Sequence, residues 1–241
     1  MARPTGSPGW STRVLCGVLA ACAVANAVAG AVAWHRYQLL SALPPEQAPS
    51  GGGTLLGADM WFGIATGWRR AAIVVSVLLF VLWLDRMRGL ADQVWPEGQR
   101  RGRGWLLFGW VVPVGNLFVP KMFVNDLWAA GRPATPRRRG HPLLTLWWLA
   151  VLLAFGSSGA VLGRVPRVDH AWQACDAMRQ VMLTDALFVA AAALTAAVAW
   201  RLGGMLRYAA RPAPGRPNAV APHPRPGSPR RTRQPQSGLS R

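Results

Sequence analysis

The sequence predicts an all-α membrane protein, a polytopic bundle of four transmembrane helices with a proline-broken helical hairpin on one side. Two observations predict this fold class. Of the 241 residues, 51% are hydrophobic and 15% are charged, whereas a soluble domain usually carries about 25% charged residues. The charged residues also stand in blocks between apolar runs, which is typical of chains that cross a membrane several times.

Four apolar runs are candidates for the spans, since a span needs about 20 predominantly apolar residues. They cover residues 14–34, 71–84, 143–162 and 181–202. The first run has features of a signal sequence, but it is long enough to anchor the chain and we expect it to stay uncleaved. The second run is short. The arginines at its ends, Arg69 and Arg70 before it and Arg86 after it, can extend to the two interfaces.

The distribution of Lys and Arg predicts the direction of the spans, because these residues are retained on the cytoplasmic side. Four spans place residues 1–13, 85–142 and 203–241 on one side, and these segments hold 20 of the 27 Lys and Arg. The loops on the other side, residues 35–70 and 163–180, hold three each. We therefore expect both termini, including the short segment 1–12, to be cytoplasmic, with a membrane domain over residues 13–205.

The stretch from residue 105 to 130 is predicted to form the hairpin rather than a fifth span. A fifth span would place the arginines of residues 137–139 outside, against the positive-inside rule, and prolines interrupt the stretch. We expect half-helices at roughly residues 105–112 and 120–130, with Pro120 in a first turn and Gly131 as a C′ cap. Such a hairpin either re-enters the membrane or lies in the inner interface.

The hairpin carries a P-x-x-N-L-x-x-P motif that is followed by an acid and a tryptophan. The residues are Pro113, Asn116, Leu117, Pro120, Asp126 and Trp128. In one interpretation, Asn116 only satisfies backbone groups that the prolines free. In the other, the broken helix presents polar groups to a ligand, with Asp126 as a cation or proton ligand. A structural role for Asp126 would be an ion pair with Lys121, Arg132 or Arg86.

Polar and small residues inside the spans form a second set of candidates. Asp185 is the only acid inside a predicted span, and intramembrane acids are functional candidates. Because it lies near the outer end of the fourth span, we expect it to be exposed to headgroups or paired with Arg179. We expect Asn26 to join helices through hydrogen bonds, and small residues such as Gly17 and Gly156 to line packing faces.

Several motifs together resemble one family. Trp83 and Arg86 form a W-x-x-R pattern at the end of the second span, and G-W-x-x-P-x-x-N-L-x-x-P-x-x-x-x-x-D-x-W runs over residues 109–128. Trp147 and Trp148 follow early in the third span. With these motifs the sequence resembles a bacterial integral-membrane family, domain of unknown function 4328, which is common in actinobacteria, over about residues 60–205. The resemblance implies the architecture and a bacterial cell-membrane location, and it implies no activity.

The sequence does not favour metal or cofactor chemistry. The three cysteines form no C-x-x-C, the four histidines are scattered, and no P-loop or G-x-G-x-x-G occurs. We therefore expect no cofactor, no metal site and no catalytic residue. The net charge of +18 is concentrated partly in residues 206–241, an Arg/Pro-rich tail. We expect this tail to be disordered and to contact anionic lipid headgroups rather than nucleic acid.

Two functions remain open from the sequence. The preferred one is a non-enzymatic scaffold or interaction subunit of the bacterial envelope, associating with itself or with another membrane protein. The alternative is a small transporter or channel-like protein with a site at the hairpin. In that case Asn116, Asp126 and Asp185 would line its path.

The direction of the spans can be tested by cysteine labelling. In intact cells, a cysteine introduced as Arg138→Cys should be protected from a membrane-impermeant thiol reagent and should react after lysis, because the loop that contains it is predicted to be cytoplasmic. Labelling of this position in intact cells would contradict the arrangement of four spans.

Overall fold

The computed structural model of the chain describes residues 9–49, 52–95, 118–132, 141–163 and 169–211. The regular secondary structure of these residues is helical, which confirms the predicted all-α class. In chain order the helices are α1 (Gly9–Ser41), α2 (Gly53–Val94), α3 (Val119–Ala130), α4 (Pro142–Gly163) and α5 (Ala171–Ala209).

Four of these helices, α1, α2, α4 and α5, are long and apolar enough to cross a membrane, as the sequence predicts. Three of them are longer than a span requires. The helices α1, α2 and α5 contain 33, 42 and 39 residues, against about 20 for a span. Residues 53–70, expected in a loop, instead form the first part of α2.

The helices α1 and α5 form the central antiparallel pair of the bundle. A Cβ on Gly203 would lie 2.8 Å from Thr12 Oγ1 near one end of the pair, and a Cβ on Gly30 would lie 3.7 Å from Asp185 Cβ nearer the other. Alanines such as Ala33 and Ala199, both fully buried, occupy the interface. Small residues allow this close approach of two helix backbones.

The helices α2 and α4 flank this pair and are each held by a tryptophan. Trp83 Nε1 of α2 donates a hydrogen bond to Thr12 Oγ1 of α1 at 3.1 Å. Trp147 Nε1 of α4 donates to Thr195 Oγ1 of α5 at 2.9 Å. Each bond therefore satisfies an indole N–H away from water and attaches one outer helix to the central pair.

We call the end of the bundle where α1 begins and α2 and α5 terminate the basal end, and the opposite one the apical end. Buried aromatic rings fill the bundle toward the basal end. The ring of Phe80 lies 5.9 Å from those of Trp83 and Trp147, and the rings of Trp147 and Trp148 are 5.4 Å apart. All four side chains are at most 5% exposed.

The contacts between α1 and α2 give the position of Arg69 along the bundle. Trp83 bonds to Thr12 near the basal end, and Arg36 Nε lies 2.7 Å from Asp59 Oδ1 near the apical end. Arg69 is therefore about 15 Å from the level of Asp59 and about 21 Å from that of Trp83, at ~1.5 Å per residue. The run of apolar residues exposed on α2 begins well before residue 71: it includes Leu56, Met60, Ile64 and Trp68.

Helix α3 corresponds to the second half of the predicted hairpin. Pro120 lies in its first turn, as expected, and Gly131 follows its last residue. The φ of Gly131 is −72°, so the glycine does not adopt the left-handed conformation of a C′ cap. Its small size is required instead by α5, because a Cβ would lie 3.0 Å from Met205 Cβ. The predicted half-helix at residues 105–112 and the motif residues Pro113, Asn116 and Leu117 lie outside the described residues.

Two glycines that were expected to line packing faces have open space beside them in the described part of the chain. A Cβ on Gly17 of α1 or on Gly156 of α4 would meet no atom within 4 Å in the described part of the chain. The hydroxyls of Ser157 and Ser158 bond to the Ala154 carbonyl in their own helix, at 2.9 and 3.0 Å. Among the described residues, Gly17 and Gly156 do not form the helix contacts that the sequence suggested.

Two adjacent glycines of α5 provide a matched test of the α1–α5 contact. Gly203→Ala should lower the free energy of unfolding by about 1–3 kcal/mol, because Thr12 is stiff at χ1 and already accepts the bond from Trp83. Gly204→Ala, where a Cβ meets nothing within 4 Å, should leave stability unchanged or raise it by up to ~1 kcal/mol. Thermal unfolding in one detergent measures both variants. Equal stability of the two would contradict the close approach at Gly203.

Candidate functional site

An ion pair inside the bundle joins α2 to α5. Arg69 Nη1 donates to Asp185 Oδ1, and the two side chains are 13% and 2% exposed. This corrects the expectation that Asp185 is exposed to headgroups or paired with Arg179. Arg179 lies about 9 Å further toward the apical end, at ~1.5 Å per residue. There it donates to Tyr37 Oη at 2.8 Å and to Asp176 Oδ1 at 3.2 Å.

The backbone of α1 makes room for this pair. Asp185 Oδ2 faces Gly30, where an added Cβ would lie 3.8 Å from that oxygen. Oδ2 has no hydrogen-bond partner among the described residues. An alanine Cβ at this position would already be in van der Waals contact with the carboxylate, so Asp185 packs closely against the α1 backbone.

Two further polar side chains near this level also have unsatisfied atoms. Asn26, one turn before Gly30 on α1, is fully buried, and its Oδ1 has no partner in the described part of the chain. Its amide nitrogen donates to the Cys22 carbonyl of its own helix at 2.8 Å, so the expected interhelical bond is not formed there. The hydroxyl of Thr184, 3% exposed, is likewise unpartnered.

Arg69, Asp185, Asn26 and Thr184 lie at similar levels along the bundle, and we call these four residues the polar cluster. The carboxylate charge is balanced by the guanidinium, as buried charges require. The remaining carboxylate and amide oxygens only accept hydrogen bonds, so they can be satisfied by water or by another small donor. The neighbouring guanidinium disfavours a metal cation. Within the described residues, no group of three or more His, Cys, Asp and Glu is arranged to hold a metal.

The motif residues on α3 form a separate region at the basal end. The Trp128 ring lies 4.7 Å from the His141 ring, and the Arg132 guanidinium lies 5.3 Å from the Trp128 ring centre. Asp126 and Trp128 are 3% and 2% exposed. Burial of Asp126 among the helices excludes a free position in solvent for this acid, and its role as a ligand stays a prediction.

The structure does not bring Asp126 and Asp185 together. Gly131, which ends α3, packs against Met205 of α5. Met205 is twenty residues from Asp185, or about 30 Å along the helix. A path lined by both acids, as the transport alternative assumes, would therefore have to run most of the length of the bundle.

The two residues of the W-x-x-R pattern have different surroundings. Trp83 is 2% exposed and bonds to Thr12, so it contributes to packing. Arg86 is exposed, and its guanidinium lies 5.0 Å from the centre of the Trp10 ring. Arg88, two residues further, was missed by the sequence reasoning although it is 5% exposed. Its Nε bonds to Asp92 Oδ1 at 3.0 Å and its guanidinium lies 5.6 Å from the Phe123 ring centre.

Arg69 was also missed as a site residue, and a signal for it exists in the sequence. Leu56, Met60, Ile64 and Trp68 repeat every four residues. This spacing is typical of one helix face. Read as a helix, the segment before Arg69 is part of a span, and the arginine then requires an acidic partner. The position of Asp185 beside it depends on helix packing.

One comparison with known proteins gives a match. A family model described as Domain of unknown function (DUF4328) matches residues 50–203. The matched stretch contains α2, α3, α4 and most of α5, and therefore both Arg69 and Asp185. No curated protein and no solved structure matches the chain.

The ion pair predicts that two neighbouring arginines, Arg69 and Arg70, contribute very differently to the free energy of unfolding. Arg69→Ala should cost about 3–5 kcal/mol of stability, because it leaves the Asp185 carboxylate buried without its cation. Arg70→Ala removes the same charge from an exposed side chain and should change stability by less than about 0.5 kcal/mol. Thermal unfolding in detergent compares the two variants.

A double variant separates loss of the pair from loss of packing. Arg69→Met combined with Asp185→Leu removes both charges and should recover most of the stability that Arg69→Ala loses. If Arg69→Ala and Arg70→Ala were equally stable, the pair would not hold α2 against α5.

Proposed function

We propose a function for this chain from its geometry, because the chain belongs to the DUF4328 family, whose description names no activity. In our proposal it is a multi-pass protein of the bacterial cell membrane with both termini in the cytoplasm. It acts without catalysis, as a scaffold or interaction subunit of the envelope. Its partners are a second copy or another membrane protein, and anionic headgroups along the Arg/Pro-rich tail.

The observation that carries the proposal is the set of side-chain bonds between helices at three positions along the bundle. Trp83 joins α2 to α1, and Trp147 joins α4 to α5 toward the basal end. Arg69 joins α2 to α5 nearer the apical end. Bonds that attach every long helix to another favour one fixed arrangement, which suits a protein that presents constant surfaces to its partners.

The aromatic packing supports the same function. The rings of Phe80, Trp83, Trp147 and Trp148 are buried between the helices, and short α3 packs against α2, α4 and α5 at the basal end. A transport path along the bundle axis would require these rings to move apart. Close packing of this kind disfavours small continuous displacements.

A specific observation favours a second candidate, the small transporter or channel-like protein. Asp185 Oδ2, Asn26 Oδ1 and the Thr184 hydroxyl are buried without hydrogen-bond partners in the described part of the chain. Polar groups inside spans mark ion and proton pathways in many membrane proteins. Transport through this cluster would require water to reach the bundle interior in at least one conformation.

The native cysteines distinguish the two functions. Cys22 is 4% exposed in the bundle interior, and Cys175 is partly exposed on the apical part of α5. In liposomes containing the Cys16→Ser variant, a membrane-impermeant thiol reagent should modify Cys175 from the apical side. The scaffold predicts that Cys22 is not modified from either side, because the packed core keeps water away from it.

Flux measurements on the same liposomes complete this test. With the scaffold function, proton and monovalent-cation permeability should equal that of protein-free liposomes. Modification of Cys22 together with a protein-dependent flux that Asp185→Asn abolishes would contradict the scaffold and favour transport. The reactivity of Cys175 serves as the control for reagent access and for insertion direction.

A further inference from the structure

We propose that the basal end contains a binding site for one anionic phospholipid, formed by α1 and α2 around Trp10 and Arg86. The lipid would place its phosphate at the Arg86 guanidinium and part of one acyl chain in the groove below it. This inference goes beyond the scaffold proposal and does not depend on it, since it concerns a structured surface of the bundle and not the tail.

A groove between the two helices begins at these residues. Its cavity volume is about 280 Å³, equal to roughly nine molecules of liquid water at ~30 Å³ each, which is enough for part of an acyl chain. Leu15 and Trp83, 1% and 2% exposed, form the floor. The other lining residues are Trp10, Ser11, Val14, Leu79, Leu82, Asp85 and Arg86.

The groove is lined by charged residues at one end and by apolar residues along the rest, as a phospholipid has a charged headgroup and apolar acyl chains. Arg86 and Asp85 lie at the basal mouth. Leu79 lies seven residues from Arg86, or about 10 Å deeper at ~1.5 Å per residue. Val14 and Leu82 are 44% and 63% exposed on the walls. The groove is therefore charged at the end of the span and apolar toward the bilayer centre, which matches a headgroup followed by an acyl chain.

The Arg86 side chain is held in position for a phosphate. Its guanidinium lies 5.0 Å from the Trp10 ring centre, within the range of a cation–π contact. Tryptophan is enriched at the level of lipid headgroups, and Trp10 is 49% exposed there. A cation–π contact leaves N–H donors of the guanidinium available for the paired oxygens of a phosphate.

The local charge selects an anionic lipid. Arg207 Nη1 would lie 3.2 Å from a Cβ added to Gly9, the residue before Trp10, so a second positive charge lies at this end of the groove. The Asp85 carboxylate offsets one of these charges and leaves the mouth net positive. A choline headgroup would bring its own cation next to two arginines, whereas phosphatidylglycerol brings only the phosphate charge.

Native mass spectrometry of the full chain, titrated with phosphatidylglycerol or phosphatidylcholine of identical acyl chains, tests the proposal. Phosphatidylglycerol should form a one-to-one adduct more tightly than phosphatidylcholine. Arg86→Ala should weaken that adduct about five-fold, the effect of one arginine near an anionic headgroup. Arg70→Ala on the same helix removes the same charge far from the groove and should leave the adduct unchanged.

The apolar part of the site has its own matched pair. Leu82 lines the groove, whereas Leu78, also exposed at 60%, is not among the lining residues. Leu82→Ala should weaken phosphatidylglycerol binding and Leu78→Ala should not. If Arg86→Ala does not fold, the comparison of Leu82→Ala with Leu78→Ala still tests whether the groove binds phosphatidylglycerol.

Three results would overturn the proposal. The first is equal binding of the two lipids, and the second is equal loss in the groove variants and their controls. The third is displacement of phosphatidylglycerol by an equal concentration of soluble glycerol phosphate, which would show a phosphate site without an acyl groove.

Discussion

A charged side chain buried inside a helix bundle requires a partner of opposite sign, and the pairing of Arg69 with Asp185 meets this constraint. The pair links two helices that are distant in sequence and have few other contacts with each other. It also determines a feature of α1, because the carboxylate lies against Gly30. Three helices are thereby held in one arrangement by one ion pair and the small residue that makes room for it.

Toward the basal end, hydrogen bonds between tryptophan and threonine side chains also hold helices together, here with uncharged groups. Trp83 bonds to Thr12, and Thr12 in turn packs against Gly203. A buried indole N–H is stabilised by an acceptor, so Trp83 and Trp147 both fill space and select a neighbouring helix. Asp126 and Trp128 belong to this basal layer, on the helix that ends beside Met205, and Met205 is about 30 Å from Asp185 along α5 at ~1.5 Å per residue. The candidate residues therefore form two separate regions.

Predictions that depend on residues close together in the sequence were more accurate than predictions of contacts between residues far apart in the sequence. The helical class and the four helices long and apolar enough to cross a membrane follow from local hydropathy, and the start of α3 with Pro120 in its first turn follows from local proline chemistry. The partner of Asp185 could not be predicted in this way, because Arg69 lies 116 residues earlier in the chain. Arg179 was the nearest arginine in sequence, but it lies more than a helical turn nearer the apical end.

The sequence by itself determined the number of long apolar helices, the place of Pro120 in a first helical turn and the family motifs, because each depends on residues close together in the chain. Only the tertiary structure decided that Arg69 is buried beside Asp185, that Asp185 lies against Gly30, and that the groove at Arg86 exists. Each of these features depends on the relative positions of two or three antiparallel helices. Those positions are set by side chains such as Trp83 and Thr12 that meet only when the helices pack.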